Sequence, residues 1–174
     1  MKTKLETYLK NTFPKSDLQV SFLEVVTEYQ IGISLDLREG KYSTPETLYN
    51  AFQKSVDVFN SIFDSAETPI FALVNQWDTS PSEYLESCFT NPEKDSETWL
   101  SFDAKDVRKQ TLYVKKRDEI NYYKLFQAII NVDCQVEPML NSRIYFIEPK
   151  KHITFLFWDS CLYVGSNDAN QIAI

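Results

Sequence analysis

Between residues 122 and 130 apolar side chains return every three or four positions. Tyr122, Leu125, Phe126 and Ile129 therefore share one helical face, and Asp118 stands where it can cap the start of a predicted helix over Glu119–Asn131. Gln135, Glu137 and Pro138 carry the chain out of it. Arg143–Ile147 is β-branched and aromatic, which predicts a strand, and Glu148–Lys151 follows as a turn with proline at its second position. From His152 to Trp158 nearly every residue is apolar, so the return strand, Ile153–Trp158, is expected to be central and covered on both faces. Cys161–Val164 supplies a third antiparallel strand.

The same patterns organise the rest of the chain. An amphipathic helix is predicted over Leu5–Thr12, ended by Phe13-Pro14. From Val25 to Leu37 apolar and polar residues alternate, giving a strand with one wet face that stops at Gly40. Ser43-Thr-Pro-Glu46 has the form of a capping box, and Leu48, Phe52, Ser55, Phe59 and Ile62 continue at helical spacing, so Pro45–Phe63 is the longest predicted helix. Ile70–Val74 is short and apolar enough for an inner strand. Trp77-Asp-Thr-Ser-Pro81 runs into a predicted helix over Pro81–Cys88, with Thr79 or Ser80 as cap and Glu83 in the first turn. Thr90–Asp95 is a polar loop, Ser101–Lys109 is weakly patterned, and Thr111–Val114 re-enters the sheet. The expected fold class is α+β: a mostly antiparallel sheet of about five to six strands with helices on one main face, residues 1–174 forming one globular domain.

Composition narrows the function more than it defines it. The chain has 174 residues, 43% of them hydrophobic and 14% aromatic, with only three glycines, which suits a packed core rather than a flexible linker. No apolar run approaches a membrane span, and the opening Met1-Lys-Thr-Lys-Leu-Glu lacks a hydrophobic signal region, so a soluble cytoplasmic protein is expected. Cys88, Cys134 and Cys161 are odd in number and widely spaced, which fits reduced thiols. Charge is uneven. Residues 1–42 carry six basic and six acidic side chains, residues 43–110 five and twelve, and residues 111–174 seven and seven, so the middle segment alone accounts for the formal net charge of −7. An acidic surface repels phosphate backbones and attracts basic partners, which argues against nucleic-acid binding.

Tyr123–Asn131, then Asp133, then Ile144–Ile147 and the strand ending in Trp158-Asp159, together with Phe13-Pro14 and Ile31-Gly-Ile33 in the same order, resemble the bacterial family catalogued as domain of unknown function 3885. The resemblance covers most of the chain and brings no established activity with it. Members of that family usually close the return strand with a motif of the type Tyr-Asp-Asp-Arg-Gly-x-Asp. Here Trp158-Asp159 stands at its first two positions, Ser160 and Cys161 replace its second Asp and its Arg, and its Gly and last Asp have no counterpart. Any site formed by that motif in other members is expected to be lost in this chain.

Candidates for chemistry are few. His152 is the sole histidine, which excludes a multi-histidine metal site, and it is expected to be a hydrogen-bonded or solvated residue beside a turn. A Cys161–His152 pair has no nucleophile motif around it, so Cys161 is expected to be a buried, inert thiol. Asp78, Glu83 and Glu86 are hard oxygen donors that a metal-dependent enzyme or carboxylate-based hydrolase could use, yet no Asp-x-Asp or Glu-x-x-His pattern supports one. No glycine-rich phosphate loop exists. No catalytic, cofactor-binding or metal residue is assigned. A non-enzymatic interaction module, comparable to an immunity protein that neutralises a basic toxin, is the preferred reading. Its surface is expected to comprise Trp77, Asp78, Glu83, Glu86, Glu93, Asp95, Glu97 and Trp99, with the tryptophans as anchors ringed by charge.

Overall fold

In a computed structural model of the chain, two helices back one face of a seven-stranded antiparallel sheet. The structure describes residues 19–20, 25–37, 44–64, 70–76, 83–94, 96–103, 106–140, 142–148, 151, 153–158 and 161–172, with the backbone alone at 19–20, 25–26, 70–76, 96–103, 106–110 and 158. Among the described residues the helices are α1 (Pro45–Ile62), α2 (Glu83–Glu86) and α3 (Tyr122–Cys134). The strands are β1 (Gln19–Val20), β2 (Val25–Val26), β3 (Tyr29–Ser34), β4 (Ile70–Gln76), β5 (Ser96–Asp103), β6 (Asp106–Lys115), β7 (Ser142–Glu148), β8 (Ile153–Trp158) and β9 (Cys161–Ser166). The sheet order is β3-β9-β8-β7-β4-β6-β5, and β1 pairs with β2 in a separate ribbon.

The sequence expectation of an α+β fold with an antiparallel sheet holds, but among the described residues the sheet has seven strands rather than five to six. The additional strand is β5. The polar stretch around Ser101–Lys109, weakly patterned in sequence, folds back as a β5–β6 hairpin in which Ser96 faces Tyr113 and Phe102 faces Val107. The single strand expected over Val25–Leu37 is broken instead. Its first part pairs with β1, while β3 pairs with β9, and at the break the Glu28 amide donates to the Asn167 side-chain oxygen at 2.8 Å rather than to a ladder. Leu35–Leu37 leave the sheet, with Asp36 in the left-handed region at φ 56° and its amide donating to Ser34 Oγ.

Helix ends also differ from the sequence expectation by one or a few residues. The cap of α1 is Thr44, whose hydroxyl accepts the Thr47 amide at 3.2 Å, with Pro45 at the first helical position; Ser43 lies outside the described residues. The cap of α3 is Asn121 rather than Asp118, because residues 117–119 form a 3₁₀ turn closed by the Lys116 amide on the Glu119 carboxylate at 2.9 Å. Gln135 ends α3 in the left-handed region at φ 55°. The helix expected over Pro81–Cys88 is described only as the single turn of α2. The amides of Cys88 and Phe89 bond three residues back, to Leu85 and Glu86, which tightens and stops the helix. The helix expected over Leu5–Thr12 lies outside the described residues.

The core forms where α1 and α3 meet the sheet. Phe59 is fully buried at its centre, with ring centroids 4.5 Å from Phe63, 5.1 Å from Tyr122 and Phe126, and 5.4 Å from Phe146. Most of these pairs are edge-on or tilted, as the aromatic quadrupole prefers. Every residue from Ile153 to Phe157 is buried, in agreement with a central strand covered on both faces. On β7 the alternation is explicit: Ile144 and Phe146 join the helix-side cluster, whereas Tyr145 and Ile147 are buried outside it. Among the described residues no helix is long and apolar enough to cross a membrane.

Candidate functional site

The acidic middle of the chain is fixed to the body through residues 83–94. Past the turn that ends α2, Phe89 forms an isolated bridge with Ile120: the Thr90 amide donates to the Glu119 carbonyl and the Asn121 amide to the Cys88 carbonyl, both at 2.8 Å. The Phe89 ring then stacks on Tyr113 of β6 at 4.2 Å and 9°. One turn earlier, Tyr84 donates its hydroxyl to the Lys124 carbonyl at 3.1 Å, and Lys124 Nζ lies 4.6 Å over the Tyr84 ring and donates to Ser87 Oγ. These contacts tie α2 to α3.

Lys115, the last residue of β6, is the least expected member of the region. It is 1% exposed, and its ammonium donates to the carbonyls of Asn91, at 2.8 Å, and Lys94. A buried ammonium needs partners. Here the polar turn at 91–94 supplies them from its backbone, so the lysine fixes the turn as the turn satisfies the lysine. Asn91 takes the left-handed conformation, φ 48°, which its short polar side chain tolerates.

On this scaffold Glu83, Glu86 and Glu93 are exposed. Glu86 lies near enough to Tyr113 for its charge to add to the main effect, burial, which pushes the Tyr113 hydroxyl up to about 12. Glu97 and Trp99 belong to β5, an edge of the sheet among the described strands, at register positions opposite Leu112 and Gln110. Trp77, Asp78 and Asp95 lie outside the described residues, as does His152. The structure therefore brings Glu83, Glu86 and Glu93 onto one anchored segment and places the backbone of Glu97 and Trp99 on the adjoining edge strand.

Among the described residues, Cys88 and Ser87 each have a partner within the protein. Cys88 is buried, its Sγ 3.3 Å from the Tyr84 carbonyl, and burial pushes the thiol up to about 11 against a smaller opposing effect of Lys124. At neutral pH it stays protonated and unreactive. Ser87 spends its hydroxyl proton on the Tyr84 carbonyl. Cys161 is half-buried, not buried as expected, because it opens β9 opposite Trp158 at the end of the hairpin rather than deep in a strand. This turn is where the family's terminal motif falls, and Asp159 and Ser160 lie outside the described residues. Beside α2 a polar hollow of about 440 Å³ is lined by Ser87, Thr90, Asp118, Asn121 and Tyr123 among others. Among the described residues no group of three or more His, Cys, Asp or Glu side chains is placed to share a metal ion.

Of these features, Lys115 is the one that sequence reasoning missed. Its partners are backbone carbonyls 21 and 24 residues earlier, and nothing in side-chain pattern announces a carbonyl.

The family model described as "Domain of unknown function (DUF3885)" matches residues 5–173, nearly the whole chain. No curated protein and no solved structure matches the chain.

Proposed function

We propose that this chain, which belongs to the family of domain of unknown function 3885, is a cytoplasmic, non-enzymatic interaction module that binds a basic protein through its acidic middle segment, in the manner of an immunity protein. The observation that carries this reading is the combination of charge and anchoring: exposed Glu83, Glu86 and Glu93 on a short segment held by the Phe89–Ile120 bridge and by buried Lys115. A carboxylate cluster costs self-repulsion in the folded state, and packing gives no reason to gather twelve acidic against five basic residues between 43 and 110. A pre-ordered acidic surface returns that cost on meeting a basic partner, by steering the encounter and by avoiding the entropy of ordering a loop. The same field disfavours nucleic acid and anionic membrane. Trp77 and Trp99 are the proposed aromatic anchors of this surface, alongside Asp78, Asp95 and Glu97.

The test is charge reversal. Glu83, Glu86, Glu93 and Glu97 are changed to Lys in a protein whose thermal unfolding is unchanged, and the on-rate is measured against the partner that co-purifies from its own cells. A fall of about tenfold or more at low salt, with a flattened salt dependence, is expected. An unchanged on-rate and unchanged salt slope would place the surface elsewhere. An enzyme using Asp78, Glu83 and Glu86 predicts a different outcome, thermal stabilisation by Mg²⁺, Mn²⁺ or Ca²⁺ that disappears when Asp78 and Glu83 are substituted.

A further inference from the structure

A second surface lies between α1 and α3, with a lining that includes no residue of the acidic segment. Between the first turns of α1 and the last turns of α3 runs a groove of about 380 Å³, lined by Pro45, Leu48, Tyr49, Phe52, Ile130 and Val136, with Gln127 and Asn131 as the polar members. Its border is unusually apolar for a surface. Tyr49 is 63% exposed, Tyr123 50% and Val136 43%, and these are three of the five large hydrophobic residues exposed among those described. Tyr123 continues the groove's wall through its ring contact with Phe52 at 5.6 Å. Apolar side chains gathered on one face mark an interaction site, whereas the same residues scattered singly would not.

Charge around the groove selects the occupant. Glu46 and Asp57 lie on the exposed side of α1 on either side of Tyr49 along the helix, and Glu137 adjoins Val136; all three are exposed. The only basic residue of α1, Lys54, donates to the Ser34 carbonyl at 2.6 Å, and the only one of α3, Lys124, is turned to Ser87 and Tyr84. Arg117, near Tyr122 and Tyr123 at the other end of the groove, is bonded to Asn60, so around Pro45, Tyr49 and Val136 the exposed charges named are acidic. A second copy of this chain would bring the same carboxylates against each other and is disfavoured. A small polar ligand is disfavoured too, because such sites need convergent free polar groups, and the Asn131 amide is already given to the Pro138 carbonyl at 3.0 Å.

We infer that this groove binds an amphipathic helical segment of another protein, its apolar ridge seated between α1 and α3 and its Lys or Arg flanks facing Glu46, Asp57 and Glu137. Two helices with an apolar trough between them offer a third helix the packing that it lacks when alone. The exposed tyrosines serve as rigid anchors with little side-chain entropy to lose.

The probe is a fluorescein-labelled synthetic peptide of about 18 residues with Leu at helical spacing and Lys elsewhere, compared by anisotropy with a scrambled peptide of the same composition. The patterned peptide is expected to bind at least about tenfold more tightly than the scrambled one, and a Tyr49→Ala, Val136→Ala double variant to lose about tenfold, the scale of one anchoring aromatic. Both positions are exposed, at 63% and 43%, so the variant is expected to fold, and an unchanged melting temperature verifies it. Equal binding of the two peptides would show attraction by charge alone and overturn the inference. So would unchanged affinity in the double variant, or concentration-dependent dimerisation of the protein that the variant abolishes. If reversal of Glu83, Glu86 and Glu93 removes peptide binding while the groove variant does not, the acidic segment is the binding surface and the groove is not. If the groove variant alone removes it, the groove stands whatever the fate of the acidic segment.

Discussion

The aromatic core around Phe59 and the acidic segment from Glu83 to Lys94 are attached to the same body with a different balance of forces. Around Phe59 the attachment is side chain on side chain. Five aromatic rings lie within 6 Å of its own, contributed by Phe63 at the end of α1 and by α3, β7 and β8. The acidic segment also buries Leu85, Cys88 and Phe89, but it adds directional contacts that the core lacks: the Tyr84 hydroxyl on the Lys124 carbonyl, the bridge to Ile120 and the two carbonyls on Lys115. Dispersion and area burial are non-directional and sum over many contacts. Hydrogen bonds to a single ammonium fail together when it is removed. The first mode suits a region that only has to be stable, and the second fixes the shape of a segment whose exposed face is free for other work.

The sharpest break in this comparison is Phe59→Ala. It deletes a fully buried ring shared by four elements and should cost about 3–5 kcal/mol, read as a lower midpoint in urea unfolding monitored by far-UV circular dichroism. A loss below 1 kcal/mol would mean that the ring is not central. Next comes Gly165→Ala in β9. A Cβ there would meet Thr27 Oγ1 at 2.3 Å and Thr154 Oγ1 at 2.8 Å, and Thr154 is buried, so the strands must part. Overpacking of this kind costs about 1–3 kcal/mol, and replacing Thr154 by Ser in the same chain should recover little of it, because the tighter clash, with Thr27, remains and Ser keeps the oxygen at 154.

How much of this was legible in sequence follows the same division. The helix-side core was readable, because the periodicity at Tyr122, Leu125, Phe126 and Ile129 and the unbroken apolar run at Ile153–Phe157 report the burial that the side chains undergo. Both elements are found within a few residues of their expected bounds. The hairpin of β5 and β6 was half missed, since an edge strand among polar residues has no apolar alternation to read. The break at Thr27–Glu28 was missed because its cause, close approach of Gly165 and a bond to Asn167, comes from 138 or more residues away in sequence. The acidic character of residues 83–97 was plain in composition, whereas the device that anchors it, a lysine bonded to carbonyls, leaves no trace there.

Lys115→Met sharpens the contrast directly. Its long stem can stay in place, but the carbonyls of Asn91 and Lys94 lose their donor. Both residues are exposed enough for water to replace it in part, so the expected cost is near the lower end of about 1–3 kcal/mol. The diagnostic is where the change falls. Amide hydrogen exchange should quicken across residues 89–94 while α1 and β8 keep their protection. Uniform acceleration over the whole chain would show that Lys115 supports the global fold and not the segment.

The smallest effect is invisible at neutral pH and emerges in alkali. Burial holds the Cys88 thiol up near 11, from an ordinary value of 9.0, and the Tyr113 hydroxyl up near 12, from 10.0. Both groups are neutral when protonated. Because each folded value lies above the unfolded one, the unfolded chain releases its proton first as pH rises, so stability is complete below the unfolded value and is lost on the way up to the folded one. The window is about pH 9–11 for Cys88 and 10–12 for Tyr113. Both groups touch the acidic segment, directly or through Phe89, so its exchange protection should decline in that window before the signal of the Phe59 core changes. Cys88→Ala removes the thiol from the balance. The melting temperature of that variant should start lower, for the lost packing, but fall less steeply between pH 9 and 11 than that of the parent. Parallel slopes in the two proteins would mean that the alkaline loss originates elsewhere, with the tyrosines as the next groups to substitute.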